Sequence, residues 1–156
     1  RPSGRTAART PAKGAPTGST RDPLRWLRRQ YPGATLSSGP CPDLRKRLDR
    51  YFARRRWEAI AIPAEIAGTE FQRAVWKRIA RIPPGRTMSY GEIAAAIGSP
   101  KAARGVGQAC GSNPLSILVP CHRVVGVRGK LTGYGGGLTR KEWLLEWEGA
   151  ESGRLL

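Results

Sequence analysis

An α/β N-terminal subdomain followed by a mainly helical, winged-helix/helix-turn-helix-like C-terminal subdomain is the fold class that this 156-residue sequence predicts. Three observations carry it. Upstream, the strand-like stretch 57–62, closed by Pro63, follows two helical stretches. Downstream, capping-box starts introduce apolar residues spaced three and four apart. Two of those downstream stretches are short and meet at Gly98, a helix-turn-helix pattern.

Taken in order, residues 1–21 contain only Arg, Pro, Ser, Gly, Thr, Ala and Lys. They read as a disordered basic tail with nothing to anchor a core. Residues 22–67 read as the small α/β subdomain. Asp22-Pro23 gives an N-cap with proline in the first turn, and Leu24, Trp26, Leu27 and Tyr31 form an apolar face. A second helix follows Cys41-Pro42-Asp43, with Leu44, Leu48, Tyr51 and Phe52 on one side and Arg45, Lys46, Arg50 and Arg54 on the other.

The second subdomain is set at residues 68–150, with 151–156 as a tail. Thr69 to Gln72 is a capping box, and Phe71, Val75 and Ile79 continue one stripe until Ile82-Pro83-Pro84-Gly85 stops the helix. Ser89 to Glu92 is another capping box, for a helix through Ile93, Ala94 and Ile97 that ends at Gly98. Ser99-Pro100 is expected to start the next helix. Asn113-Pro114 reads as a turn, Ile117, Leu118 and Val119 as a short buried strand, and Thr139 to Glu142 as the capping box of a last helix whose Trp143, Leu144, Leu145 and Trp147 are core.

Charge narrows the function classes. Lys and Arg number 28 against 11 Asp and Glu, a formal charge of +17. Such a chain is drawn to polyanions, nucleic acid first and anionic membrane surface second. No apolar run approaches the ~20 residues of a membrane span, and no basic-then-apolar secretory signal opens the chain. Cys41, Cys110 and Cys121 make no CxxC pair, which argues for a reducing compartment and a cytoplasmic protein. With His122 the only histidine, no metal site is expected.

The helix after Gly98 shows its use by geometry. At 100° per residue, Lys101, Arg104 and Gln108 fall within an arc of about 60°. Ala103, Val106 and Cys110 lie opposite, on the packing face, so Cys110 reads as a packed thiol. A basic face over a small-residue underside suits a helix pressed into a DNA groove, and Ala102, Ala103, Gly105 and Gly107 would let the backbone approach closely.

Chemistry concentrates at Pro120-Cys121-His122-Arg123-Val124. An unperturbed thiol is only a few per cent thiolate at neutral pH, and a neighbouring base or the charge of Arg123 would raise that fraction. In a regular strand, adjacent side chains point to opposite faces. Cys121 and His122 therefore cooperate only if the strand breaks there or a water bridges them. From these residues alone, a nucleophilic cysteine and an inert core cysteine are equally open.

The motif resembles the signature of the 6-O-alkylguanine-DNA alkyltransferases, the methylated-DNA–protein-cysteine methyltransferases. Further motifs follow the family's order: Thr69 to Trp76, Ile82 to Gly85, Ser89-Tyr90, Pro100 to Arg104, Asn113-Pro114, Gly133-Tyr134 and Lys141 to Gly149. The resemblance implies a helix-turn-helix in the DNA minor groove and a damaged guanine flipped into a pocket. Cys121 would take the alkyl group from 6-O-alkylguanine, and from 4-O-alkylthymine, in one self-inactivating displacement without a cofactor. It also implies that His122 acts on Cys121 as a base through water, Glu148 orients His122, and Asn113 holds the turn between recognition helix and active-site segment. Arg104 would fill the gap left by the flipped base. Tyr90 would rotate the phosphate and donate to the departing oxygen. Ser99, Lys101, Gln108 and Arg123 would contact DNA, and Tyr134, Gly135 and Val124 would line the pocket. The partner would be double-stranded DNA carrying alkylated guanine, met by a monomer and away from membranes. Gly91 departs from the larger polar residue that relatives often carry after Tyr90. Three rivals stand beside this reading: a lesion binder that lacks alkyl transfer, a helix-turn-helix regulator, and a thiol hydrolase.

Overall fold

Thr69 opens the best-formed helix by a reciprocal cap. Its side chain accepts from the Gln72 backbone N–H, and the Gln72 side chain accepts from the Thr69 N–H. This helix belongs to a computed structural model that describes residues 28, 35, 39–54 and 66–150. The basic tail, the Asp22-Pro23 helix, the strand at 57–62 and the 151–156 tail lie outside the described residues.

In chain order the elements are α1 (Pro42–Arg54), α2 (Glu70–Ala80), β1 (Met88–Ser89), α3 (Tyr90–Ala96), α4 (Ala103–Gly111), a 3₁₀ turn (Cys121–Arg123), β2 (Val124–Val125), a second 3₁₀ turn (Val127–Gly129) and α5 (Leu138–Trp147). The described part is helix-rich, with one small sheet in which β1 and β2 run parallel, Met88 opposite Val124 and Ser89 opposite Val125.

The main core lies where α2, α3 and α4 meet. Val75, Trp76 and Ile79 from α2, Ile93 and Ala94 from α3, and Val106 and Ala109 from α4 are fully buried. Side chains of the size of Val75 and Ile79 each contribute about 1.5–3 kcal/mol by leaving water. The Trp76 indole N–H donates to the Ala109 carbonyl at 2.8 Å, so the largest core residue also fixes the α2–α4 register. Gly68 permits this: a Cβ there would stand 2.7 Å from the Trp76 ring.

The helix ends explain where the site sits. Gly98 takes φ +75°, and its N–H and that of Ser99 return to the carbonyls of Ala95 and Ala94. That is a Schellman ending for α3, and it corrects the expected α4 start. Ser99 is committed to closing α3 and then to a turn with Ala102, so α4 begins at Ala103 without a side-chain cap. The expected cap at Thr139 is corrected as well. Gly137, at φ +88°, delivers the chain so that α5 begins at Leu138, leaving Thr139 exposed in the first turn.

Two further expectations change. Residues 117–119 are not a strand: Ile117 sits at φ +74°, and Val119 gives its carbonyl to the Asn113 side chain rather than to a ladder. Val119 is nonetheless buried. On α5, Leu144 and Leu145 are core, but Trp143 is 43% exposed and stacks flat on Trp147 at 5.6 Å. The inward face of α5 is Lys141, Leu144, Leu145 and Glu148, the i, i+3, i+4, i+7 row. On α1 only Tyr51 of the expected apolar side is buried, with Leu44 and Phe52 each 38% exposed.

Candidate active site

Cys121 heads a 3₁₀ turn, so the extended chain does break at this point. Side chains step about 120° apart there instead of alternating across a sheet. Cys121 is 6% exposed. Asn113 organises the approach to it. Its side-chain NH₂ donates to the Val119 carbonyl at 2.8 Å and to Cys121 Sγ at 3.1 Å, while its Oδ1 accepts from the Leu115 N–H at 3.0 Å. Burial pushes the Cys121 thiol up; the Asn113 hydrogen bond and the charge of Lys141 pull the other way.

His122 is fully buried, with Nε2 3.0 Å from Glu148 Oε1. Burial holds its pKa below the usual imidazole value, against the pull of Glu148. Burial alone would raise the Glu148 pKa, but hydrogen bonds from His122 and Arg123, with their charges, bring it down to about 2. An ionised carboxylate only accepts, so the imidazole proton belongs on Nε2. Nδ1 is then a bare acceptor, buried and without a hydrogen-bond partner among the described residues. The arrangement presents a neutral base held in one tautomer by a carboxylate.

Arg123 corrects an expectation. It is fully buried, so it has no surface to offer DNA. Its Nε donates to Glu148 Oε2 at 2.8 Å, its Nη2 to Oε1 at 2.6 Å, and its Nη1 to the Ile82 carbonyl. Its charge faces Glu148; the cation acting on Cys121 is Lys141 instead. Lys141 is itself buried, its Nζ donating to the carbonyls of Val124 at 2.5 Å and Thr132 at 2.9 Å. It thereby ties the segment after Cys121 to the glycine-rich loop. Sequence reasoning misses this role, although the place of Lys141 in the 141-144-145-148 row points inward. Tyr51, which in the sequence is only one of an apolar set, uses its hydroxyl as well, donating to Glu148 Oε1 at 2.7 Å.

Around this centre, Tyr134 is half-buried, its ring edge-on to His122 at 6.5 Å. Gly135 is exposed beside it. Val124 is fully buried in the main core. Tyr90, the first residue of α3, is half-buried and accepts from the Thr132 hydroxyl at 3.3 Å. Burial raises its pKa, so it stays protonated. Among the described residues, no group of three His, Cys, Asp or Glu side chains is placed to hold a metal ion.

Arg104 and Gln108 are exposed on α4, with Lys101 exposed in the preceding turn and Ser99 half-buried before it. The underside is Val106 and Ala109, with Cys110 partly buried against the core. Burial pushes the Cys110 thiol up to about 12, in keeping with a sulfur packed against the core. Gly105 has a purpose within the fold. A Cβ on Gly105 would stand 3.2 Å from the Phe71 ring, and one on Gly107 3.8 Å from the Tyr90 ring. Gly105 thus lets α4 settle on the Phe71 ring, whereas a side chain at Gly107 would make only ordinary contact with Tyr90.

A buried cysteine held by an asparagine, followed by a histidine oriented by a carboxylate, defines a thiol–imidazole–carboxylate site. Residues 70–150 match the family model described as "6-O-methylguanine DNA methyltransferase, DNA binding domain". The chain belongs to this methyltransferase family. It is 48% identical over 135 residues to the methylated-DNA–protein-cysteine methyltransferase of Mycobacterium bovis, covering 84% of this chain and 81% of that one. To the Shigella flexneri protein of the same name it is 53% identical over 106 residues, covering 68% of this chain and 62% of the relative's length. Among solved structures it is similar to Mycobacterium tuberculosis OGT in complex with DNA, at TM-score 0.66 and 46% identity over 81% of this chain and 77% of that one. A Pyrococcus kodakaraensis O6-methylguanine-DNA methyltransferase superposes at TM-score 0.64 with 27% identity, covering 83% and 76%.

Proposed function

We propose that this chain repairs DNA by direct reversal, moving the alkyl group of 6-O-alkylguanine, and of 4-O-alkylthymine, irreversibly onto Cys121. Sγ attacks the alkyl carbon; the S–C bond forms as the C–O bond breaks, and the electron pair leaves on the base. The thiol proton passes through a water to His122 Nδ1, while Glu148 holds the imidazole in the required tautomer. Tyr90 donates to the departing oxygen. No cofactor enters, because the protein itself is consumed. The observation that carries this reading is Cys121 Sγ accepting from Asn113 at 3.1 Å, beside a histidine whose Nε2 is committed to Glu148 and whose Nδ1 is bare.

A thiol cannot reach a base inside a duplex, so the lesion must be extruded, at a cost of a few kcal/mol. In this reading α3 and α4 act as the helix-turn-helix, entering the minor groove of alkylated double-stranded DNA as a monomer. Ser99 and Lys101 contact phosphates, Gln108 lies along the groove, and Arg104 replaces the flipped base. Tyr134, Gly135 and the backbone of Val124 border the pocket. The similar M. tuberculosis OGT was solved in complex with DNA, which supports the partner class. Among the described residues no helix is long and apolar enough to cross a membrane, and we assign the chain to the cytoplasm, with the DNA.

Radiolabelled methyl on a duplex tests the reaction type. Transfer stops at one methyl per chain; label released through many turnovers contradicts the proposal and favours a hydrolase. Arg104→Ala separates flipping from binding. Transfer is expected to slow about 100-fold, the kinetic equivalent of a few kcal/mol of flipping cost, while DNA affinity drops only a few-fold because phosphate contacts carry it. Equal losses in rate and affinity refute the finger role.

A further inference from the structure

We infer that Tyr51, on α1, is a positioning residue for the reaction: through Glu148 it sets the proton affinity of His122. The inference rests on the alkyl-transfer reading above. Tyr51 is 1% exposed, and its hydroxyl donates to Glu148 Oε1 at 2.7 Å across 97 residues of sequence. The same oxygen takes His122 Nε2 at 3.0 Å and Arg123 Nη2 at 2.6 Å. Tyr51 and His122 therefore compete for, and jointly fix, one carboxylate atom. The hydroxyl cannot ionise in this setting, since burial and the neighbouring Glu148 charge push its pKa well above the ordinary phenol value. It is a permanent donor. Its contact also joins the α1 part of the chain to the end of α5, so the catalytic carboxylate feels whether α1 is docked.

The direction of the effect follows from charge. A donor on Oε1 spreads the carboxylate's negative charge and weakens its hold on the imidazole proton. Without it, Glu148 holds a protonated His122 more tightly, so less of the imidazole is neutral and free to accept a proton at a given pH. The other groups facing His122 are Arg123 in its own turn, Lys141 on α5, and Tyr134 in the glycine-rich loop. Arg123 and Lys141 oppose imidazolium, and none of the three changes when Tyr51 loses its hydroxyl. A charge-assisted hydrogen bond of this kind is worth about a tenfold change in an equilibrium constant.

The chain has a single histidine, so its imidazole gives one clean NMR titration. In Tyr51→Phe the His122 midpoint is expected to rise by about one pH unit, a tenfold gain in proton affinity. The acid limb of the alkyl-transfer rate should move up by the same amount, with the rate recovering at higher pH. A purely structural tyrosine would lower the rate equally at every pH. An unmoved His122 midpoint, or a pH-independent loss, overturns the inference. Should Tyr51→Phe not fold, 3-fluorotyrosine placed at position 51 makes a stronger donor, and the midpoint must then fall; no shift, or a rise, counts against the role. Wild-type protein that transfers no alkyl group defeats the reaction assignment instead, and the NMR titration still decides whether Tyr51 tunes His122.

Discussion

Replacing Cys121 by serine is expected to abolish alkyl transfer while leaving DNA affinity within about twofold of the parent, because affinity comes from phosphate contacts. The substitution is conservative in shape, and the Asn113 NH₂ that donates to Sγ at 3.1 Å can donate to a serine Oγ. What changes is the nucleophile. A thiol needs only modest help to become a thiolate, whereas a hydroxyl is a poor nucleophile without a strong base. His122 is a buried, neutral imidazole that acts on this position through a water, and a hydroxyl gives up its proton far less readily than a thiol. Retained transfer in this variant, measured on methylated duplex, would move the nucleophile elsewhere. Cys110, whose thiol is pushed up to about 12, and the exposed Cys41 would be the sulfurs left to test.

Glu148→Gln should damage both stability and chemistry. Glu148 accepts from His122, from two nitrogens of Arg123 and from Tyr51, all in a region closed to solvent. Glutamine keeps the shape but removes the negative charge that faces the buried Arg123 guanidinium through both carboxylate oxygens. Breaking a buried pair from one side costs about 3–5 kcal/mol. For a chain of this size that is on the order of 10 °C in Tm. The amide can also donate, so His122 loses the constraint that keeps Nδ1 bare, and transfer slows beyond what instability explains.

The pH dependence carries the same signature. The folded Glu148 pKa is depressed to about 2 from an ordinary 4.5. Its stabilisation is therefore complete above about pH 4.5 and is lost as pH falls towards 2. His122 is depressed as well, from 6.5, so the unfolded chain takes up its proton first and stability begins to decline below that pH. Thermal melts of wild type should fall through both windows. In Glu148→Gln the lower window flattens; an unchanged slope between pH 4.5 and 2 would show that Glu148 does not carry this linkage.

Local chemistry is readable wherever neighbours in sequence are neighbours in space. The caps at Thr69 and Ser89, the stop at Gly98 and the buried stripe of α2 are short-range devices, and each forms as its residues dictate. The misses at Arg123 and Tyr51 share one cause, contacts made across long stretches of sequence. Arg123 looks like a DNA contact because arginine is normally a surface residue; only the fold brings Glu148, 25 residues away, onto its guanidinium. Tyr51 and Glu148 meet across 97 residues, beyond any periodicity. Ser99-Pro100 looks like a helix start, yet backbone bonds closing α3 and the next turn claim Ser99 first, while Thr139 falls inside the first turn because α5 starts at Leu138 after Gly137. Lys141 is legible in principle, since a lysine in the same row as two core leucines must find carbonyls or pull the helix out of place.

Whether Cys121 is the acceptor is tested most directly by mass spectrometry. Full-length protein is incubated with a duplex containing O6-methylguanine, weighed intact and then mapped by peptide. The expected result is one methyl group per chain, carried on the peptide that contains Cys121, with guanine restored in the DNA. Protein of unchanged mass beside DNA that has lost its lesion, or a methyl group found on Cys41 or Cys110, contradicts it.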